Sequence, residues 1–131
     1  DPNYYWGYFN LFYKLSLYKK PIQMNEVNCA EIYDPTFQNS YGGKLTEACN
    51  KSLNNTLYYM THQNYVTIED IDIYMLYDDY TKSGNERFFG MNWSNVTPKV
   101  SAWIAALYAG GTLPASEQWH MTSRGFPNIQ K

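Results

Sequence analysis

Hydrophobic and polar positions alternate near the amino end of the chain, over residues 9–17. Apolar residues recur there at every second position, as in a strand with one buried face: Phe9, Leu11, Tyr13, Leu15 and Leu17. A helix over residues 2–20 is the competing interpretation, because Pro2 suits a first helical position and Pro21 a helix end. Such a helix would be apolar on almost every side, so we favour a strand.

A second alternation runs through residues 70–77 and predicts another strand. Turn-forming residues follow at 82–85, and a segment over 86–92 that contains Phe88, Phe89 and Met91 completes the pattern of an antiparallel hairpin. A helix in this region would bury Asp72 and Asp79 among apolar side chains, and burying an unpaired carboxylate is costly. The hairpin is therefore the favoured interpretation.

Three segments have the signals of helices, over about 44–60, 98–109 and 114–124. The middle segment is marked most clearly, because Thr97 can cap a helix, Pro98 suits its first position, and apolar residues recur at helical spacing. Two consecutive glycines follow it and can end the helix.

Residues 21–43 have no sustained period and contain several turn signals, so they are predicted to form a long surface loop. The elements together predict a single α+β domain over residues 1–131, and a mostly α fold is the alternative. In this prediction antiparallel strands over about 9–17, 70–77 and 86–92 pack with helices over about 44–60, 98–109 and 114–124.

Composition removes several classes of protein. Of the 131 residues, 18% are aromatic, which is incompatible with a disordered chain. Lys and Arg number 10 against 12 Asp and Glu, without a long basic run, so nucleic acid is not an expected partner. Apolar stretches are too short for insertion into a membrane. The sequence also allows the chain to be one part of a larger assembly.

The two cysteines, Cys29 and Cys49, are predicted to form a disulfide that ties the long loop to the first strong helix. Four Asn-x-Ser/Thr sequons are present, more than the composition predicts by chance, and they begin at Asn50, Asn54, Asn92 and Asn95. On the helix over 44–60, Asn50 and Asn54 lie opposite the apolar arc, so glycans there would project into water. These features favour an extracellular or secretory-pathway glycoprotein.

Candidate chemistry is sparse. His62 and His120 are the histidines, and either could act in acid–base catalysis with nearby acids or bases, but no catalytic motif surrounds them. The acidic residues between 69 and 79, including Asp78, lack the spacing of a calcium loop and are predicted to form a solvated face. Neither a metal nor another cofactor is expected, and an enzyme is the less favoured class.

The aromatic residues are the best candidates for a binding surface. The chain has too many tyrosines for one small core to hold with every hydroxyl paired, and Tyr and Trp dominate interface hot spots. We expect a recognition module that binds another protein. A carbohydrate-binding, lectin-like module is the alternative, and a small secreted hydrolase or nuclease using His62 or His120 is the second alternative. The expected binding residues are Tyr4, Tyr5, Trp6, Tyr8 and Tyr33.

Overall fold

A computed structural model describes residues 10–30, 45–93 and 98–116. Within them the order of elements is a helix over 10–16 (α1), strand Ile22–Val27 (β1), helix Leu45–His62 (α2), strand Ile68–Ile73 (β2), a 3-10 helix Gly84–Phe88 and helix Val100–Tyr108 (α3). The fold is an α+β mix in which helices pack on a small parallel sheet.

The strand predicted over residues 9–17 is wrong, because residues 10–16 are helical. Only Phe12 is fully buried among the apolar side chains of α1, and its ring stacks on that of Tyr59 in α2 with 5.8 Å between centroids. Its neighbours Leu11 and Tyr13 are exposed. The alternation of residue types therefore does not match the burial, which is set by this one contact with α2.

The sheet corrects two predictions at once. β1 lies inside the segment predicted to be a surface loop, and it pairs with β2 in parallel, so the expected antiparallel arrangement is wrong. A parallel pair needs a long crossover connection, and the chain between the strands contains α2. The sequence pattern does not predict β1 because this strand is irregular. Its register with β2 shifts twice, and Glu26 has a φ of 59°.

The predicted hairpin is also wrong. Strand β2 ends at Ile73, and Gly84–Phe88 is a 3-10 helix rather than the start of a second strand. Backbone hydrogen bonds do join the two segments, since the Met91 N–H donates to the Met75 carbonyl over 2.8 Å, but they form no regular ladder. Asp79 closes the connection instead, because its carboxylate accepts hydrogen bonds from the Thr81 N–H and hydroxyl. Those two bonds lower the pKa of Asp79.

The helices over 44–60 and 98–109 are confirmed by α2 and α3. The N-cap of α3 is Lys99, so the helix starts later than the predicted Thr97–Pro98 signal. At its end, Gly110 adopts a φ of 88°, and the Gly111 N–H donates to the Ala106 carbonyl over 2.8 Å. Of the helix predicted over 114–124, residues 115–116 are helical and the remainder lies outside the described residues.

The core lies between the two long helices and the sheet. Leu53 and Leu57 of α2 meet Val100 and Ile104 of α3, and partly buried residues of both strands, Val27, Ile71 and Ile73, pack against them. The Cys29–Cys49 disulfide, predicted from the sequence, joins the end of β1 to α2 with 5.5 Å between Cα atoms. In the part of the chain that the structure describes, no helix is long and apolar enough to cross a membrane.

The disulfide should contribute strongly to stability because it closes a 20-residue separation in the unfolded chain. Replacing both cysteines by serine (Cys29→Ser/Cys49→Ser) is expected to lower the free energy of unfolding by about 3 kcal/mol. Urea unfolding of the oxidised wild type, the reduced wild type and the double variant measures this. The reduced wild type should resemble the variant, and equal midpoints for all three samples would contradict the prediction.

Candidate functional site

A groove of about 890 Å³ runs along β2. One wall is formed by residues 68–73, which are the whole of β2, and the opposite wall by α3. Leu57 and Met60 of α2 contribute buried apolar surface to it. We call this cavity the β2 groove.

The β2 groove is lined by every residue of β2, as a groove along the backbone edge of the strand would be. Successive side chains of a strand point to opposite faces, yet all six residues of β2 line the cavity. β1 occupies the other edge of β2, and among the described residues no further strand pairs with β2. An edge of this kind offers backbone N–H and C=O groups to an incoming chain.

Small side chains on α3 make room opposite this edge. Ala102, Ala105, Ala106 and Ala109 recur at helical spacing and all line the groove. Tyr108 lies at the same wall, and its hydroxyl is within 3.2 Å of both the backbone and the side-chain oxygens of Asn54. Burial raises the pKa of Tyr108 to about 12.

The β2 side of the groove carries negative charge. Glu69, Asp70 and Asp72 are exposed and line the cavity. The only ion pair within residues 10–30, 45–93 and 98–116 is formed elsewhere, by Lys99 and Asp78. The three carboxylates therefore face the groove without a salt-bridge partner among the described side chains.

A buried ion pair between Lys99 and Asp78 lies close to Met91 and Asn92, which line the groove. Both side chains are 0% exposed and 2.6 Å apart, and the same Asp78 oxygen accepts a hydrogen bond from the Gly90 N–H over 3.0 Å. The Lys99 ammonium also lies 4.3 Å from the centre of the Trp93 ring. The pair thus holds the segment around Gly90 against the start of α3, next to Met91, which lines the groove.

Asp78 is buried in this ion pair, so the expectation that it belongs to a solvated face is wrong. Asp78 lies in an irregular connection where neither period two nor period 3.6 predicts the direction of a side chain. The lysine that pairs with it is 21 positions away in sequence. Such an ion pair can be recognised only once the fold brings the two residues together.

The sequence-predicted binding residues Tyr4, Tyr5, Trp6, Tyr8 and Tyr33 lie outside the described residues, as does His120, and their roles stay predictions. His62 is exposed at the end of α2, where its Nδ1 atom is 2.8 Å from the Tyr58 carbonyl and its ring stacks on Tyr58. No described carboxylate forms an ion pair with it. In the described part of the chain there is also no group of side chains that could hold a metal ion.

The sequons are placed differently from the expectation. Asn50 is 1% exposed, so the prediction that it points into water is wrong. Asn54 is half-buried beside Tyr108, and the half-buried Asn92 donates its amide N–H to the Leu76 carbonyl over 2.9 Å. Asn95 lies outside the described residues. Among the described sequons, therefore, the asparagine side chains participate in packing and hydrogen bonding within the fold.

Comparison with known proteins found no matching family, no matching curated protein and no matching solved structure. Function must therefore be argued from the geometry of the groove and from the chemistry of its walls.

Proposed function

We propose that this chain is an extracellular recognition module that binds a segment of another protein in the β2 groove. The observation that carries the proposal is the cavity of about 890 Å³ between a row of small residues on α3 and an edge of β2 that pairs with no other described strand. Pockets that bind small molecules and cofactors have volumes of about 300–1,000 Å³. The groove is therefore large enough for a short stretch of polypeptide.

The strand edge suggests how such a segment would bind. An extended peptide can add to a sheet as a further strand, with backbone hydrogen bonds supplying affinity and pockets for alternate side chains supplying specificity. β2 supplies the backbone groups, and the alanines of α3 supply space for side chains. Leu57 and Met60, which are almost fully buried, also line the groove.

The extracellular part of the proposal is supported by the Cys29–Cys49 disulfide, because disulfides persist in oxidising compartments. The excess of sequons in the sequence favours the same compartment. Asn50 is buried and Asn54 and Asn92 are half-buried, so the proposal relies on the disulfide first.

A selection from a phage-displayed library of random peptides tests the proposal. We expect enriched peptides to bind the wild type and to bind a groove-filling variant, Ala105→Leu/Ala106→Leu, at least about tenfold more weakly, because the added side chains occupy the space opposite β2. The matched control is Ala115→Leu, since Ala115 is exposed and does not line the groove.

Thermal unfolding of all three proteins establishes that the variants are folded before binding is compared. If no peptide is enriched, or if the enriched peptides bind the filled variant as tightly as the wild type, the proposed function is wrong. Equal loss of binding in the Ala115→Leu control would also contradict it, because that change leaves the groove open.

A further inference from the structure

We infer that the ligand of the β2 groove is an extended segment in which apolar and basic residues alternate. This inference rests on the proposed function and goes beyond it by naming the chemistry of the partner. It follows from the two faces of β2, from the charge of the sheet and from the size of the residues on α3.

Over residues 70–73, the two faces of β2 have opposite character. Ile71 and Ile73 are partly buried and pack against the core cluster, whereas Asp70 and Asp72 are exposed. Any strand that adds to β2 continues the same sheet, so its own side chains must alternate between these two faces. The character of the ligand's side chains must therefore repeat at every second position.

Side chains of the ligand on the inner face would meet the wall made by α3. That wall presents Ala102, Ala105 and Ala106 across the groove, with Met60 of α2 nearby. Alanine leaves space that a branched aliphatic side chain can fill, and the surroundings offer methyl and thioether groups for contact. The inner positions of the ligand should therefore be apolar.

On the outer face, a ligand would lie beside Asp70 and Asp72. β1, on the other side of β2, offers no cation, since its six residues are IQMNEV and Gln23 is the register partner of Asp70. Opposite charges on neighbouring strands attract, and like charges directly opposite each other repel. Lysine or arginine at the outer positions of the ligand is complementary to this face, and Glu69 adds to the same field.

The probe for this inference is a capped eight-residue peptide of alternating lysine and valine, compared with its glutamate counterpart. We expect calorimetric titration to show binding of the lysine peptide to the wild type, and much weaker or undetectable binding of the glutamate peptide. Binding of the lysine peptide should weaken when salt is raised, because these exposed charges are screened. A lysine peptide with alternate backbone nitrogens methylated should lose binding, because it cannot donate hydrogen bonds to the strand edge.

The variant Asp70→Asn/Asp72→Asn should bind the lysine peptide about tenfold more weakly than the wild type. The matched control Glu26→Gln/Glu86→Gln removes the same charge from two exposed positions that do not line the groove, and it should bind like the wild type. Equal affinity of the two double variants, or equal binding of the lysine and glutamate peptides, would overturn the inference.

The two proposals can fail separately. Library-selected peptides that are excluded by Ala105→Leu/Ala106→Leu but are indifferent to Asp70→Asn/Asp72→Asn would overturn the alternating basic ligand and leave the proposed function standing. Lysine-peptide binding that survives groove filling would show a non-specific charge effect and overturn the inference. Sedimentation that shows a dimer disrupted by groove filling would identify a second copy as the occupant and overturn it as well.

Discussion

Replacing Lys99 with methionine is expected to lower the free energy of unfolding by about 3–5 kcal/mol, because it leaves the carboxylate of Asp78 buried without its cation. Both side chains are fully buried and 2.6 Å apart. Methionine has a similar length, so the change removes the charge without opening a large cavity. The Gly90 N–H would still donate to Asp78, but one hydrogen bond does not neutralise a buried charge.

Urea unfolding of Lys99→Met and of the double variant Asp78→Leu/Lys99→Met separates this effect from a loss of packing. Replacing both partners with apolar residues of similar volume is often neutral or stabilising, so the double variant should recover most of the lost stability. A Lys99→Met protein as stable as the wild type would show that the ion pair contributes little. A double variant less stable than the single variant would show that the charge of Asp78 is compensated by other groups.

Replacing Gly90 with alanine is expected to lower the free energy of unfolding by about 4 kcal/mol, near the upper end for a single substitution. A Cβ atom at this position would overlap the backbone nitrogen of Asp78 and the carbonyl carbon of Tyr77, and it would lie 2.6 Å from the Asn92 carbonyl oxygen. All three are backbone atoms, so the overlap cannot be relieved by rotating a side chain.

Gly84→Ala is the matched control because a Cβ atom there would meet no other atom within 4 Å. Gly84 has a φ of 57°, so alanine would still be strained, by about 1 kcal/mol. Chemical unfolding should therefore rank the wild type first, Gly84→Ala second and Gly90→Ala last. If Gly90→Ala loses no more stability than Gly84→Ala, the prediction that backbone atoms leave no room for a Cβ atom at Gly90 is wrong.

Both substitutions should also affect the β2 groove, because the Lys99–Asp78 ion pair and Gly90 position Met91 and Asn92, which line it. The Met75 N–H donates to the Phe89 carbonyl and the Met91 N–H to the Met75 carbonyl, on either side of Gly90. Met91 and Asn92 line the groove directly after this contact. Lys99→Met and Gly90→Ala should thus weaken peptide binding as well as lower stability.

Features that depend on local pattern were predictable. Apolar residues at helical spacing located α2 and α3, since a helix of this length buries one stripe of its own surface. The Cys29–Cys49 pairing followed from the presence of only two cysteines. The sequence pattern predicts that the acidic residues of β2 are exposed to solvent, and Asp70 and Asp72 are exposed in the structure.

Features that depend on a distant partner were not predictable. The alternation in residues 9–17 indicated a strand, but helical geometry there lets Phe12 pack on Tyr59. The apolar arc of α2 predicts that Asn50 points into water, yet Asn50 is buried. The direction of strand pairing depends on which strand lies next to β2, and the partner turned out to be a short segment with an irregular register.

The sequence by itself therefore determined the two long helices, the disulfide and the acidic residues of β2, because local periodicity and residue chemistry are sufficient for these. Only the tertiary structure decided that β2 pairs in parallel with β1, that Lys99 buries its charge against Asp78, and that β2 and the alanines of α3 line one groove. Each of these is a contact between residues far apart in the chain. Such contacts are selected by the packing of the whole domain, which short-range pattern does not encode.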